Sequence, residues 1–157
     1  MPREAEYWKP VEHDKIQCLL CPRGCVLAEG RWGICKARGN KNLSMVLPLY
    51  GQISSMAIDP VEKKPLRHFL PGSHTFSIGF WHCTMRCPFC QNWEISHGGE
   101  GEEVTAEELA TMMLRLQQRG CHNINLVSPS HVVPQVLEAV EIAAQRGLTL
   151  PLVYNTG

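Results

Sequence analysis

The sequence shows no excess of charge: 15 lysines and arginines stand against 15 aspartates and glutamates, a formal net charge of zero. Nothing therefore marks an electrostatic footprint for nucleic acid or an anionic membrane surface. The longest basic run is "EKK" at 62–64, closed by a proline. Long apolar runs are missing too. No stretch approaches the roughly 18 residues of a membrane span, and the opening "MPREAEYWKPVEHDK" lacks the apolar segment of a signal peptide. Neither a membrane nor a nucleic acid is the expected partner, and the cytoplasm is the expected compartment. Low-complexity segments and internal repeats are absent as well, leaving 157 residues, 44% hydrophobic, of ordinary soluble globular composition.

Cysteine, by contrast, is abundant. Eight cysteines without an export signal are expected to remain reduced thiols, which points to metal chemistry rather than a disulfide framework. Seven of them fall into two tight groups, Cys18, Cys21, Cys25 and Cys35, and Cys83, Cys87 and Cys90. The eighth, Cys121, follows a glycine and precedes an apolar run, and reads as a small buried apolar residue.

The pattern divides the chain into three. Residues 1–45 read as a loop-rich, cysteine-rich knuckle in which a metal replaces a core. Residues 46–74 read as short strands and a proline-punctuated connector, "DPVEKKPLRHFLPGS". Residues 75–157 alternate apolar runs with amphipathic helices. "FSIGFW" (76–81), "INLVS" (124–128) and "LPLVY" (150–154) suit parallel strands covered on both faces. Between the first two, Thr105 and Glu108 have capping-box spacing, Leu109, Met112, Met113 and Leu116 share a helical face, and Gly120 supplies a stop. A second helix is expected from Pro134 to Gly147, burying Val136, Leu137, Val140 and Ala144.

The resulting order, β-α-β-α-β, predicts an α/β fold, with ligands at the carboxyl ends of the strands of a barrel or an open doubly wound sheet. A sheet ending on a third, unpaired strand exposes an apolar edge. It predicts that the chain is the amino-terminal part of a longer protein or is completed by a second polypeptide.

Cys83, Cys87 and Cys90 form C-x3-C-x2-C directly after the first of these strands. Structural zinc closes with four ligands, whereas three local thiolates suit an iron–sulfur cluster with one iron left free. Pro88 and Phe89 stiffen the path between ligands. Zinc with a distant fourth ligand, His82 or His97, and a chance cluster of buried thiols are the alternatives. In the knuckle, C-x2-C-x3-C-x9-C with turns at Pro22, Gly24, Gly30 and Gly33 offers four thiolates for a closed site. Zinc, a second iron–sulfur cluster and no metal all remain open there.

C-x3-C-x-Φ-C with Phe89 as the aromatic resembles the signature loop of the radical S-adenosylmethionine (radical SAM) enzymes. The strings "DPVEKKPLRHFLPGS", "CPFCQNWEIS" and "NINLVSPSHVVP" resemble, more narrowly, the AmmeMemoRadiSam-system radical SAM proteins, relatives of pyruvate formate-lyase-activating enzymes. The resemblance runs from Cys18 to Gly157.

It implies an oxidoreductase built on the first strands of a partial, TIM-like (βα) barrel, with a [4Fe–4S] cluster on Cys83, Cys87 and Cys90 and SAM on the free iron. Reductive cleavage of SAM would yield a 5′-deoxyadenosyl radical for hydrogen abstraction. The electron donor would be a protein such as flavodoxin or ferredoxin, and the substrate an unidentified protein or small molecule. Phe89 would lie against the adenine, and Asn92, Ser128, Ser130 and Asn155 would contact SAM or its surroundings.

Gln91 serves as well to cap the next turn, and Thr156 to start the next loop. "GGE" at Gly98, Gly99 and Glu100 precedes the first helix, one βα unit too early for the family's SAM-amino motif, and reads as an acidic loop; Ser128 or Ser130 takes that role. His82 stands where relatives more often have glycine, and Thr84 where asparagine is frequent. His68 and His131 read as surface or packed residues. A non-catalytic zinc-binding interaction module, using both cysteine groups structurally, is the rival reading.

Overall fold

The structure, a computed structural model, describes residues 3–47, 51–64, 66–98 and 100–157. In chain order its strands are β1 (Arg3–Glu4), β2 (Trp8–Val11), β3 (Lys15–Cys18), β4 (Val26–Ala28), β5 (Gly39–Lys41), β6 (Ser44–Leu47), β7 (Gln52–Pro60), β8 (His74–Phe80), β9 (Glu102–Glu103), β10 (Asn123–Val127) and β11 (Leu152–Asn155). Helix α1 spans Ala106–Gln118 and α2 Val133–Gln145. The fold is mixed α/β.

The amino-terminal region is more regular than a loop-rich knuckle. Two antiparallel three-stranded sheets, ordered β1-β6-β5 and β2-β3-β4, enclose a small core of Ala5, Ile16, Cys18, Leu27, Met45 and Leu47. Alternation explains it. In β3 and β6 every second residue (Ile16 and Cys18, Met45 and Leu47) points inward, so even four-residue strands bury an apolar pair. A metal is therefore not a substitute for a core here.

The main sheet has the order β11-β10-β8-β7-β9. β8, β10 and β11 run parallel, in the βαβ arrangement expected from the alternating pattern. The 46–74 segment holds more than short strands: nine-residue β7 lies antiparallel on β8 and carries the sheet further toward the amino terminus than residue 75. A 3₁₀ turn, Val61–Lys63, follows it.

Strand alternation gives the sheet two unlike faces. On one, Phe76, Ile78, Phe80, Ile124 and Leu126 pack with Leu109, Ala110, Met113, Leu116, Val136, Ala139 and Ala143 of the helices. On the other, register aligns three rows: Asp59, Thr75 and Asn123; Ala57, Ser77, Asn125 and Val153; Ser55, Gly79, Val127 and Asn155. This second face is largely polar, although Asp59, Thr75, Ser77, Asn123 and Asn125 are all buried. The run 124–128 thus reads as nearly continuous and apolar although Asn125 within it, and Asn123 just before it, belong to this polar face.

Helix α1 begins as its sequence specifies. Thr105 accepts from the Glu108 backbone N–H at 3.2 Å and the Glu108 carboxylate accepts from the Thr105 N–H at 2.9 Å, closing the capping box. Leu109, Met113 and Leu116 are buried as expected and Met112 is half-buried. Helix α2 is rotated from its expected phase. It buries Gln135, Val136, Ala139 and Ala143, leaving Leu137 56% exposed and Ala144 exposed, with Val140 half-buried. The sheet is approached through small residues at i, i+4, which bring the helix close, and an apolar tally overlooks alanines in favour of leucine.

Candidate metal and cofactor site

The three-thiol loop leaves the carboxyl end of β8, beside the carboxyl ends of β10 and β11, where parallel α/β sheets present their ligands. Backbone strain marks both sides. His82 (φ 75°) and Ser128 (φ 54°) adopt the left-handed region, uncommon for residues other than glycine. At His82 the backbone takes a conformation that glycine adopts at no steric cost. The His82 N–H donates to the Ser96 carbonyl at 2.9 Å, and the Ser128 N–H to the Asn155 carbonyl at 2.9 Å, so both strained residues are pinned across chain segments.

The Cys83 thiol donates to Ser128 Oγ at 3.5 Å and accepts from the Met85 backbone N–H at 3.4 Å. Cys87 and Cys90 are bridged by the Cys90 N–H donating to the Cys87 carbonyl at 3.2 Å. All three thiol residues are half-buried. They share one loop, yet among the described residues no three His, Cys, Asp or Glu side chains are grouped so as to hold a metal ion.

The donor set nevertheless fits an iron–sulfur cluster chemically. It consists of three accessible thiols at a strand end, with a backbone N–H already aimed at one sulfur, the kind of hydrogen bond that tunes a cluster's potential.

Two cavities flank the loop. One, of about 430 Å³, includes Met85, Ser130, Tyr154 and Thr156 and is bounded on the knuckle side by Cys21 and Arg23. Ser130 Oγ and Thr156 Oγ1 lie 2.6 Å apart, and Arg23 Nη2 donates to Met85 Sδ at 3.3 Å, tying knuckle to loop. The other, of about 130 Å³, is lined by Lys63, Lys64, Gln91, Asn92, Val127 and Asn155. The predicted polar residues therefore divide, Ser130 and Thr156 on one side and Gln91, Asn92 and Asn155 on the other, with Ser128 against Cys83. Phe89 projects outward, 85% exposed.

The histidines have distinct places. His97 donates through Nε2 to the Met85 carbonyl at 3.2 Å and packs on Trp93. Burial lowers the pKa of half-buried His82, which stacks on Trp81. His131 is wholly buried and donates to the Trp81 carbonyl at 2.6 Å; burial, outweighing that hydrogen bond, brings its pKa down to about 4. Gly98 ends a π-helical turn that starts at Glu94, Gly99 lies outside the described residues, and Glu100 is exposed. Cys121 is buried in the main core.

In the knuckle, Cys18, Cys21, Cys25 and Cys35 face one cavity of about 20 Å³, together with Arg38, Thr84 and His131. A Cβ on Gly33 would stand 3.7 Å from Cys35 Sγ and 3.8 Å from Cys25 Sγ, so the glycine keeps that wall thin. Burial raises the Cys35 pKa, with lesser contributions from Cys18 and Cys21. Arg38 is 2% exposed; one Nη donates to the Glu6 carbonyl, while Nε and the other Nη have no partner.

Sequence reasoning overlooked Arg23, Arg38, Asp59, Lys63 and Lys64. Only "EKK" offered a signal: two adjacent lysines, four and five residues after Asp59.

Compared with known proteins, the chain is 34% identical over 157 residues to an uncharacterized protein of Methanocaldococcus jannaschii; the match covers 98% of this chain and 47% of that protein. The chain thus spans about half the length of that relative. No family model matches the chain, and no solved structure matches it.

Proposed function

We propose that the chain carries the cluster loop of a radical SAM enzyme, with Cys83, Cys87 and Cys90 as ligands of a [4Fe–4S] cluster. The supporting observation is placement: three thiols without a fourth leave the carboxyl end of the first parallel strand, and the first of them is bonded to Ser128 at the end of the next. When bound, the cluster and SAM supply one-electron cleavage of a carbon–sulfur bond and hydrogen abstraction.

The chain's own residues orient and shield. Met85 N–H and Ser128 hold Cys83, while His131 fixes the backbone two residues before it. The cavity at Ser130, Tyr154 and Thr156, about 430 Å³, lies in the range of small-molecule sites and is the place assigned to SAM. Arg23 closes its knuckle side. Anaerobic reconstitution with iron and sulfide tests the reading: four irons bound per chain support it, and Cys83→Ala, Cys87→Ala and Cys90→Ala should each remove them.

The knuckle reads as a structural zinc site on Cys18, Cys21, Cys25 and Cys35. Arg38 favours it. A guanidinium that is 2% exposed with two nitrogens unpartnered needs an anion, and four thiolates on Zn²⁺ carry a net charge of −2 whereas four thiols carry none. The small cavity favours zinc over a second cluster. About 20 Å³ is little more than the roughly 10–15 Å³ that one water-sized probe needs, room for a single ion. Metal analysis of the purified protein tests this, with one zinc per chain expected and lost in Cys35→Ser.

A further inference from the structure

The buried polar face of the main sheet has no part in the roles assigned so far. Asp59 lies there, accepting from Lys63 Nζ at 2.8 Å, Lys64 Nζ at 3.0 Å and Ser77 Oγ at 2.9 Å. Two ammonium groups on one carboxylate leave a surplus positive charge. The Lys64 side chain is only 12% exposed, so much of that charge is sheltered from water. Each ammonium has three N–H donors, and Asp59 takes one from each. Both lysines, with donors to spare, line the 130 Å³ cavity.

Behind the cavity, the same sheet face holds buried hydrogen-bonding capacity without a partner among the described residues. Val127 lines the cavity, and Asn125 and Asn123 follow two and four residues back on the same face of β10. Asn123 accepts from Thr75, but its Nδ2 has no partner; Asn125 is 0% exposed with both Nδ2 and Oδ1 unpartnered. Buried amides without partners cost about 1–3 kcal/mol each and are retained where something else satisfies them. On the rim stand Gln91, Asn92 and Asn155, three further amides, with no carboxylate among the lining residues.

We infer that this cavity binds an oxyanion, the carboxylate or phosphate of a polar small molecule, between Lys63, Lys64 and the amides of Asn92 and Asn155. The ligand is the substrate of the reaction proposed above, an assignment that rests on that reading, whereas the binding of an anion does not. A site lined by three amides and two lysines selects against apolar substrates, because their burial would leave these groups unpaired.

The test is calorimetric titration of the full-length, iron-free protein with inorganic phosphate and, separately, with glutarate at constant ionic strength. Saturable binding of one anion is expected, and the stronger of the two identifies the group. Lys63→Gln and Lys64→Gln should each weaken it by about fivefold or more, while Lys9→Gln, on the knuckle, leaves it unchanged. Lys63 is largely exposed, so its substitution keeps the test valid if the Lys64 variant folds poorly. Absence of saturable binding to either anion, or wild-type binding in both lysine variants, overturns the inference. Because no iron or SAM is present, its failure is separable from a failure of the radical SAM reading.

Discussion

His131 Nε2 donates to the Trp81 carbonyl oxygen at 2.6 Å, joining the turn after β10 to the last peptide before the three-thiol loop. The bond holds two chain segments at the position where the candidate cluster ligands begin. It is buried, and it is made by a residue whose charge is sensitive to pH.

That sensitivity gives the first prediction. His131 is neutral in the fold, with its pKa lowered from 6.5 to about 4 by burial, whereas the unfolded chain takes up a proton near 6.5. The unfolded state therefore binds more protons between these values. Stability from this group is fully present above about pH 6.5 and falls as the pH drops toward 4, by up to about 3 kcal/mol. Urea unfolding at pH 7.5 and 4.5 checks it; a His131→Gln variant should lose most of the pH dependence in this window.

Asp59 gives a second. Burial opposes its ionisation, but hydrogen bonds from Lys63, Lys64 and Ser77 outweigh burial and hold its pKa down to about 2. Its contribution is therefore complete above the ordinary value of 3.8 and is lost as the pH falls toward 2. Asp59→Asn strands the sheltered ammonium of Lys64 and is expected to cost about 3 kcal/mol at pH 7. Asp59→Asn combined with Lys64→Met should recover part of the loss in the same denaturation assay.

A third concerns the turn leading into β7. Gly51 has φ 69°, and a Cβ there would stand 2.2 Å from the Val104 carbonyl oxygen. Gly51→Ala must both adopt a left-handed backbone and displace a backbone atom. A loss of more than about 2 kcal/mol is expected. By contrast, Gly72→Ala, also at positive φ but with nothing within 4 Å, should cost only about 1 kcal/mol.

A fourth addresses the knuckle. Arg38→Met removes a buried cation without removing a thiol. If thiolates on zinc are its counter-ions, the variant should bind zinc more weakly by about tenfold or more in competition with a chelator. Unchanged zinc affinity would show that Arg38 serves only the Glu6 carbonyl.

These predictions also show where the sequence was readable. The capping box at Thr105 and Glu108, the three parallel strands and the two thiol groups are local patterns, and local patterns survive in a linear string. Arg38 and His131 are otherwise: each has a partner 32 or 50 residues away, in Glu6 or Trp81, and nothing in its own neighbourhood announces burial; Asp59 joins its nearby lysines to Ser77, 18 residues on. Helix α2 was legible in extent but not in phase, since Ala139 and Ala143 face the sheet while the larger Leu137 does not. The polar sheet face was hidden because Asn125 sits inside, and Asn123 directly before, a run that otherwise counts as apolar.

The central claim is that Cys83, Cys87 and Cys90 hold a cluster that cleaves SAM. It is tested most directly by reducing the iron- and sulfide-reconstituted full-length protein anaerobically with SAM and measuring 5′-deoxyadenosine. The account predicts its formation, abolished by alanine at any of the three cysteines and retained in Cys121→Ala. A full-length protein that stays colourless after reconstitution, holds only zinc and forms no 5′-deoxyadenosine would contradict it.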